Sequence, residues 1–396
     1  MTLTRKKVEQ AEGILVEQDV DMWLTFIRET SAMRDPVLDI IFGAEDLTWL
    51  SALIITRHGQ RIAIVGRMEA EAVKRQGIFD PVIAYDESIH PALLDVLNSL
   101  KPRQIAVNIA RDEVHADGLS HGMYELLVNY LKNTPFAGKL MPAENIINAL
   151  RGRKIPLEIE RVRAAVGITA KIFHRAYKFI KPGMTEKQIG AFMHHLAEEQ
   201  GVETAWPAES CPAVNSGPFS PVGHGGPTDI IVEPGHLLHF DFGVKQEEYC
   251  SDIQRMVYIL HPGEKEPPPI VQRGFDTVHS AIQAAASVLR PGVTGKAVDD
   301  AARRVVTNAG YPEYKYATGH QLGRIAHDGG TLLGPAWERY GETPFKKVEA
   351  GQIYTLEPGL AVEGHGYIGL EEDVLVTESG NEYLGKPQER LVLIKG

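Results

Sequence analysis

An internal repeat constrains the fold of this chain more than any other feature of its sequence. The segment AYKFIKPGMTEKQIGAFMHHLAEEQG aligns without a gap with AASVLRPGVTGKAVDDAARRVVTNAG. Each copy reads as a helix, a Pro-Gly break, a threonine that can cap, a second helix and a terminal glycine. The duplication predicts a pseudo-symmetric domain whose central site takes ligands from both halves. Identical residues meet at a constant offset of 109 residues in the pairs Pro182 and Pro291, Gly183 and Gly292, Thr185 and Thr294, Lys187 and Lys296, and Gly201 and Gly310.

The rest of the chain indicates a second domain, because 396 residues are too many for one ordinary domain. The first 150 residues alternate helical patterns with apolar runs such as MWLTFI, and SALIITRHGQRIAIVG reads as a hairpin around Gly59. A long helical pattern, with Pro156 in its first turn, then marks a change. We predict an α/β N-terminal domain over 1–152 and an α+β domain with an internal pseudo-two-fold repeat over 153–396.

Composition excludes several classes of protein. A formal net charge of −11 argues against nucleic-acid and anionic-membrane partners, since neither attracts an acidic surface. The chain has two cysteines, Cys211 and Cys250, so no disulfide framework is expected and a reducing compartment is favoured. Neither a signal peptide nor an apolar run long enough to span a membrane is evident. We therefore expect a cytoplasmic protein.

Four acidic residues interrupt otherwise apolar strand patterns. HLLHFDFGVKQEEYCSDIQRMVYIL predicts two strands, 237–243 and 250–260, and QIYTLEPGLAVEGHGYIGLEEDVLVT predicts two more after the second helix pair. Each half of the repeat thus ends in a predicted hairpin that carries two acids. Buried carboxylates cost several kcal/mol unless they are paired or bound to metal. The four acids are Asp241, Asp252, Glu357 and Glu371.

Two interpretations of these acids remain open. Four inward carboxylates cannot share a pocket as anions without cations, and two divalent metals with one imidazole would satisfy that requirement. His320 and His327, in TGHQLGRIAHDGG, are the histidines in question. Alternatively, some of the acids face solvent or pair with Arg255 or Arg324.

In these motifs the chain resembles the pita-bread-fold metallopeptidases, which include methionine aminopeptidase, Xaa-Pro aminopeptidase and prolidase. The resemblance covers essentially the whole chain, and the N-terminal part resembles the creatinase-type domain of the Xaa-Pro members. It also implies that His224 in VGHGGPTD and His327 in IAHDGG bind substrate and transfer protons. The metal ligands that the resemblance implies are Asp241 in HFDFG, Asp252 in YCSDIQR, His320 in TGHQLG, Glu357 in TLEPG and Glu371 in GLEED.

The resemblance implies a homodimeric enzyme with two divalent ions. Manganese suits the carboxylates best, and zinc, cobalt or iron remain open because of the imidazole. The implied reaction is hydrolysis of the bond before a proline in second position, with Glu371 taking up the proton of the attacking water. Aromatic surfaces suit a proline ring, and Trp206, Trp337 and Tyr340 are candidates, although packing in the core is the more ordinary role for each.

Two positions depart from the family pattern. Gly369 stands where an arginine is usual, two residues before the last glutamate, and Gln254 stands where a threonine is usual. Arg324, in the atypical HQLGR, could supply the missing charge. A prolidase restricted to dipeptides is one alternative. Gly369 and HQLGR keep a second one open, a non-peptidase enzyme on the same scaffold that acts on a small carboxylated or amidine-like substrate. A binding protein without activity is a further alternative, but such relatives lose the ligands that this chain retains.

Overall fold

A computed structural model describes residues 2–223 and 225–396, which form two compact units, Met1–Arg151 and Gly152–Gly396. No helix in these ranges is long and apolar enough to cross a membrane. The helices of the first unit are α1 (Leu3–Glu17), α2 (Leu38–Ile41), α3 (Arg67–Gln76), α4 (His90–Leu100), α5 (His121–Leu131) and α6 (Glu144–Gly152), the last of which ends at the boundary. Its strands are β1 (Met22–Ile27), β2 (Ser51–Thr56), β3 (Arg61–Gly66), β4 (Val82–Tyr85), β5 (Ile105–Val107) and β6 (Leu140–Pro142).

The strands of the first unit form one mixed sheet in the order β4-β3-β2-β1-β5-β6. The central pairs β1–β2 and β2–β3 are antiparallel, and the outer pairs are parallel. Trp23 and Ile27 of β1 pack into one apolar cluster, whereas Leu24 and Phe26 pack into another on the opposite face. Because both faces are covered, MWLTFI is apolar throughout rather than alternating. The predicted strand and the predicted hairpin are confirmed.

The second unit contains the helices and strands that position the site. Its helices are α7 (Pro156–Phe179), α8 (Glu186–Glu199), α9 (Pro269–Val288) and α10 (Gly295–Asn308). Its strands are β7 (Glu203–Thr204), β8 (Ala213–Ser216), β9 (Leu237–Phe242), β10 (Val244–Gln246), β11 (Tyr249–Cys250), β12 (Ile253–Leu260), β13 (Ile353–Leu356), β14 (Gly359–Val362), β15 (Gly366–Gly369), β16 (Glu372–Val376), β17 (Asn381–Tyr383) and β18 (Val392–Lys395).

The predicted repeat is visible in the two helix pairs, α7 with α8 and α9 with α10. Helices α8 and α10 begin and end at positions that differ by the same 109 residues. Thr185 caps α8 by accepting a hydrogen bond from the backbone N–H of Gln188 at 3.2 Å, and Thr294 caps α10 in the same way from Ala297 at 3.3 Å. The glycine of each Pro-Gly break has a left-handed backbone, with φ of 89° in one copy and 88° in the other. The two halves therefore share local structure as well as sequence.

The acid-bearing segments contain more strands than predicted. Strands β8, β9, β12 and β18 form one sheet, while β10 and β11 form a separate hairpin with β7. The strand predicted over 237–243 is confirmed as β9, and it pairs antiparallel with β12. The strand predicted over 250–260 is not continuous, because β11 ends at Cys250 and β12 begins at Ile253. Between β9 and β11 the chain leaves the first sheet near Gly243 and turns at Glu247 and Glu248, which have positive φ.

The later segment differs from the prediction in the same way. It forms β13 to β16 instead of two strands, with β13 pairing with β16 and β14 with β15. Pro358 follows β13 and has no N–H to donate, so ladder pairing ends there. As a result Glu357 and Glu371 lie at strand breaks rather than inside strands.

Candidate metal centre

The five predicted ligands lie at the ends of four strands and in one loop of the second unit. Backbone hydrogen bonds tie that loop to β13, because Thr355 N–H donates to His320 O at 2.9 Å and Glu357 N–H donates to Thr318 O at 2.7 Å. Both bonds lie within the second repeat half, and the two halves are joined where Glu371 N–H donates to the backbone oxygen of Gln254 at 3.3 Å. Asp241 is in β9, Asp252 immediately precedes β12, His320 is in the loop between α10 and β13, Glu357 immediately follows β13, and Glu371 immediately precedes β16.

Three of these residues form a compact ligand cluster. Asp252, His320 and Glu371 each present one ligand atom, and these atoms all lie within 4.8 Å of one another. Glu357 adjoins the cluster, since its Oε1 lies 3.3 Å from Nε2 of His320, while Oδ2 of Asp252 lies 3.8 Å from the same nitrogen. Asp241 lies close enough to Asp252 for its negative charge to raise the pKa of that carboxyl group. The folded chain thus brings all five predicted side chains into one region.

The imidazole of His320 is oriented for coordination. Its Nδ1 lies 3.2 Å from the backbone carbonyl oxygen of Gln321, which can only accept a hydrogen bond. The ring proton on Nδ1 therefore leaves a lone pair on Nε2, directed at carboxylate oxygens. Histidine ligands in metalloproteins are oriented by this kind of outer hydrogen bond.

Burial perturbs the carboxyl groups strongly. Loss of hydration raises the pKa of Asp252 and of Glu371 well above the ordinary range, and the negative charges of their neighbours raise both further. Burial also raises the pKa of Asp241 and of Glu357, and the charge of Asp241 adds to the shift in Glu357. Like charges in a dry site disfavour ionisation, so a cation is needed for all four to be anionic at neutral pH.

The donor set fits divalent metal ions. Among the described residues, no donor reaches Oδ1 of Asp241 or either carboxylate oxygen of Glu371, although all three atoms are buried. Buried acceptors of this kind normally have a partner, and the lack of one among the described residues indicates a ligand that those residues do not provide. Carboxylates with one imidazole are suitable ligands for first-row divalent ions.

Neither arginine that the sequence offered as a partner neutralises the four acids. Arg255 makes a buried double hydrogen bond to Glu372, with both distances 3.0 Å. Arg324 donates to Glu248 at 2.8 Å and lies over the ring of Tyr249. The interpretation of Arg324 as a replacement for the missing family arginine is therefore wrong, because its charge is engaged by Glu248.

The second histidine of TGHQLGRIAHDGG, His327, lies beside His320. The rings of His320 and His327 meet edge to face, with centroids 4.2 Å apart, and His327 is exposed. His224 lies outside the described residues. Of the aromatic candidates, Trp337 stacks on Tyr340, and the indole of Trp206 donates to the carbonyl of Ser210.

Two buried polar residues at the site, His239 and Asp373, were not predicted from the sequence, and a third, Gln254, was noted only as a departure from the family pattern. The amide Nε2 of Gln254 donates to Oε2 of Glu357 at 3.3 Å. The amide Oε1 of Gln254 lies 2.9 Å from Nε2 of His239. Asp373 accepts a hydrogen bond from the backbone N–H of Asp252 at 3.1 Å. The available signal was strand alternation, since His239 and Asp241 are two residues apart on β9 and share a face.

Comparison with known proteins identifies a family and relatives that match most of the chain. A profile of metallopeptidase family M24 matches residues 160–378. An uncharacterized peptidase of Staphylococcus saprophyticus is 31% identical over 337 residues, which cover 85% of this chain and 87% of that protein.

Solved structures extend the likeness to the complete fold. The X-Pro aminopeptidase of Thermotoga maritima superposes with a TM-score of 0.71 at 26% identity, covering 98% of this chain and 99% of that one. The Xaa-Pro dipeptidase of Bacillus anthracis superposes with a TM-score of 0.74 at 22% identity, covering 99% and 100%. The predicted fold class, an α/β N-terminal part with a pita-bread C-terminal part, is confirmed.

Proposed function

The chain belongs to metallopeptidase family M24, and we propose that it removes the N-terminal residue from peptides with proline in second position. The observation that carries this proposal is the convergence of four carboxylates around His320, two of them buried and two partly buried, with buried oxygens that lack donors among the described residues. Family membership favours a peptidase over the small-molecule enzyme and the inactive binding protein. We assign the first compact unit to a creatinase-type domain and the second to the catalytic domain.

We further propose that the five predicted ligands hold two divalent ions, with manganese the first to test. Two such ions carry four positive charges, which balance the four carboxylates. Bound ions would lower the pKa of a coordinated water and polarise the scissile carbonyl. The proposed ligands are Asp241, Asp252, His320, Glu357 and Glu371.

The chain's own groups are proposed to bind substrate and transfer protons. Glu371 suits proton uptake from the attacking water, because its two buried oxygens accept no hydrogen bond from the described residues. His327 is exposed beside His320, where it can donate to the substrate carbonyl oxygen or to the leaving nitrogen. The family resemblance assigns a similar substrate contact to His224.

The proposed selectivity for proline is inferred from the structural relatives, which are named as Xaa-Pro peptidases. The structural relative at 26% identity is an X-Pro aminopeptidase, which supports an aminopeptidase that acts on longer peptides. A dipeptidase of the same selectivity is the alternative. A proline nitrogen has no hydrogen in the peptide bond, so the leaving group needs a donor rather than an acceptor from the enzyme. The resemblance also supports a homodimer, which light scattering on the purified protein would test.

A substrate panel tests the proposal. Initial rates are measured on Xaa-Pro dipeptides, longer Xaa-Pro peptides and matched Xaa-Ala peptides, with manganese, zinc and cobalt compared. We expect the longer Xaa-Pro peptides to be cleaved fastest. Cleavage of dipeptides alone would establish the dipeptidase instead, and equal rates on Xaa-Ala peptides would contradict selectivity for proline while leaving the metallopeptidase assignment intact.

A further inference from the structure

The two residues that depart from the family pattern occupy neighbouring space. Gln254 is the second residue of β12, and Gly369 is the last residue of β15. A Cβ atom at position 369 would lie 2.4 Å from Oε1 of Gln254 and 2.7 Å from Nε2 of His239. Separations below 3.0 Å do not occur for real Cβ atoms, so the amide and the imidazole fill the volume that a side chain at 369 would need.

The amide of Gln254 links His239 to a proposed metal ligand. Its Oε1 accepts a hydrogen bond from Nε2 of His239 at 2.9 Å, and its Nε2 donates to Oε2 of Glu357 at 3.3 Å. Both Gln254 and His239 are buried, with 6% and 3% of their surface exposed. A glutamine held at its oxygen end by a buried ring has its NH₂ group fixed in direction. The direction in this case is toward the carboxylate of Glu357.

The two oxygens of Glu357 consequently have different environments. Gln254 engages Oε2, whereas Oε1 lies 3.3 Å from Nε2 of His320 and 3.4 Å from Oγ1 of Thr355. Fixing one oxygen of a carboxylate restricts rotation of the group, which directs the other oxygen toward the imidazole. Outer hydrogen bonds that orient metal ligands in this way contribute to metal affinity.

We propose that Gln254 is a positioning residue that orients Glu357 for metal binding. We also propose that position 369 is a glycine because any side chain there would occupy the space of this glutamine. The inference rests on the proposed metal site. Positions 254 and 369 then act as one unit, although 114 residues separate them along the chain. In place of a positively charged arginine, this site uses a neutral amide backed by an imidazole.

A double-mutant cycle tests the coupling. The variants are Gly369→Ala, Gln254→Thr and the double variant, and each is titrated with Mn²⁺ by calorimetry after removal of bound metal. Each single change should weaken the affinity of one ion by about 10-fold, because each removes the bond from Gln254 to Glu357. The double variant should also lose about 10-fold rather than about 100-fold, because the same bond is lost only once.

Gly274→Ala is the matched control for crowding. A Cβ there would lie 2.9 Å from Ile368 and from Val362, so the steric conflict is similar but involves only apolar side chains. We expect this variant to lower the melting temperature and leave the Mn²⁺ affinity within about 2-fold of wild type. A melting curve on every variant separates loss of the fold from loss of the site.

The outcomes separate this inference from the proposed function. If the wild-type protein binds no divalent ion, the proposed function itself fails. If it binds ions and Gly369→Ala changes only the melting temperature, as Gly274→Ala does, the positioning role of Gln254 is wrong. Additive losses of about 100-fold in the double variant would likewise contradict the coupling.

Discussion

At the scale of the residue, His320 and His327 have different surroundings despite being seven positions apart. Nε2 of His320 faces Glu357 and Asp252, and its Nδ1 is held by a backbone carbonyl. His327 touches the ring of His320 and is exposed to solvent. These surroundings suit a ligand in the first case and a substrate-binding acid or base in the second.

Alanine variants of the two histidines should therefore have different defects, one in metal binding and the other in catalytic rate. His320→Ala should weaken one of two metal sites, because an imidazole ligand is removed. His327→Ala should retain its metal and lower kcat by about 10²- to 10⁴-fold, the range for loss of a general acid or base. Metal stoichiometry, melting temperature and kcat measured on both variants check this.

Each variant serves as the control for the other. Equal loss of metal from both would show that His327 is misassigned. A folded His327→Ala protein with full activity would remove His327 from the reaction.

At the scale of the element, one buried ion pair joins β12 to β16 beside the site. Arg255 of β12 donates to both oxygens of Glu372 of β16, and also to the backbone carbonyl of Glu371. The side chains of the pair are only 10% and 4% exposed. The two strands belong to different sheets. The ion pair therefore connects the two sheets beside the cluster of acids.

Removing the arginine should destabilise the protein strongly. Arg255→Met leaves the buried carboxyl group of Glu372 without its partner, which costs about 3–5 kcal/mol. Urea unfolding of the metal-free protein measures the change in free energy. Arg163→Met is the control, since its pair with Glu382 is 45% and 49% exposed and should contribute at most about 1 kcal/mol. Similar losses in the two variants would contradict the role given to burial.

The capping threonines of the repeat make an element-scale prediction of their own. Thr185→Ala and Thr294→Ala each remove a side-chain acceptor for a backbone N–H at a helix start, which costs about 1 kcal/mol. Thr307→Ala, an exposed position inside α10 and not at its cap, should stay within about 0.5 kcal/mol. Thermal unfolding compares all three, and a loss confined to one cap would show that the two copies are not equivalent in stability.

At the scale of the whole molecule, metal binding and stability should be linked. Ions that bind only the folded chain stabilise it in proportion to the logarithm of their free concentration. We expect chelation to abolish turnover and lower the melting temperature, and Mn²⁺ to restore both with up to two ions per chain. Elemental analysis and melting curves at increasing Mn²⁺ measure this. Full activity in exhaustively demetallated protein would contradict the metal-dependent reaction.

Much of this architecture could be predicted from local patterns. The Pro-Gly breaks, capping threonines and terminal glycines predicted both helix pairs, because capping depends on residues within one turn. The motifs around Asp252 and His320 predicted which side chains would meet. Strand breaks beside Glu357 and Glu371 were not predicted, since a period of two identifies a strand but not the partner at which its ladder ends.

The sequence by itself determined the helices, the repeat and the set of acids that must be buried together, because each depends on residue type and local spacing. Only the tertiary structure decided how those acids are held. Arg255 and Arg324 are engaged by Glu372 and Glu248, and Gln254 fills the space above Gly369. These pairings join residues that are distant along the chain, and close packing in three dimensions, which no local pattern records, selects them.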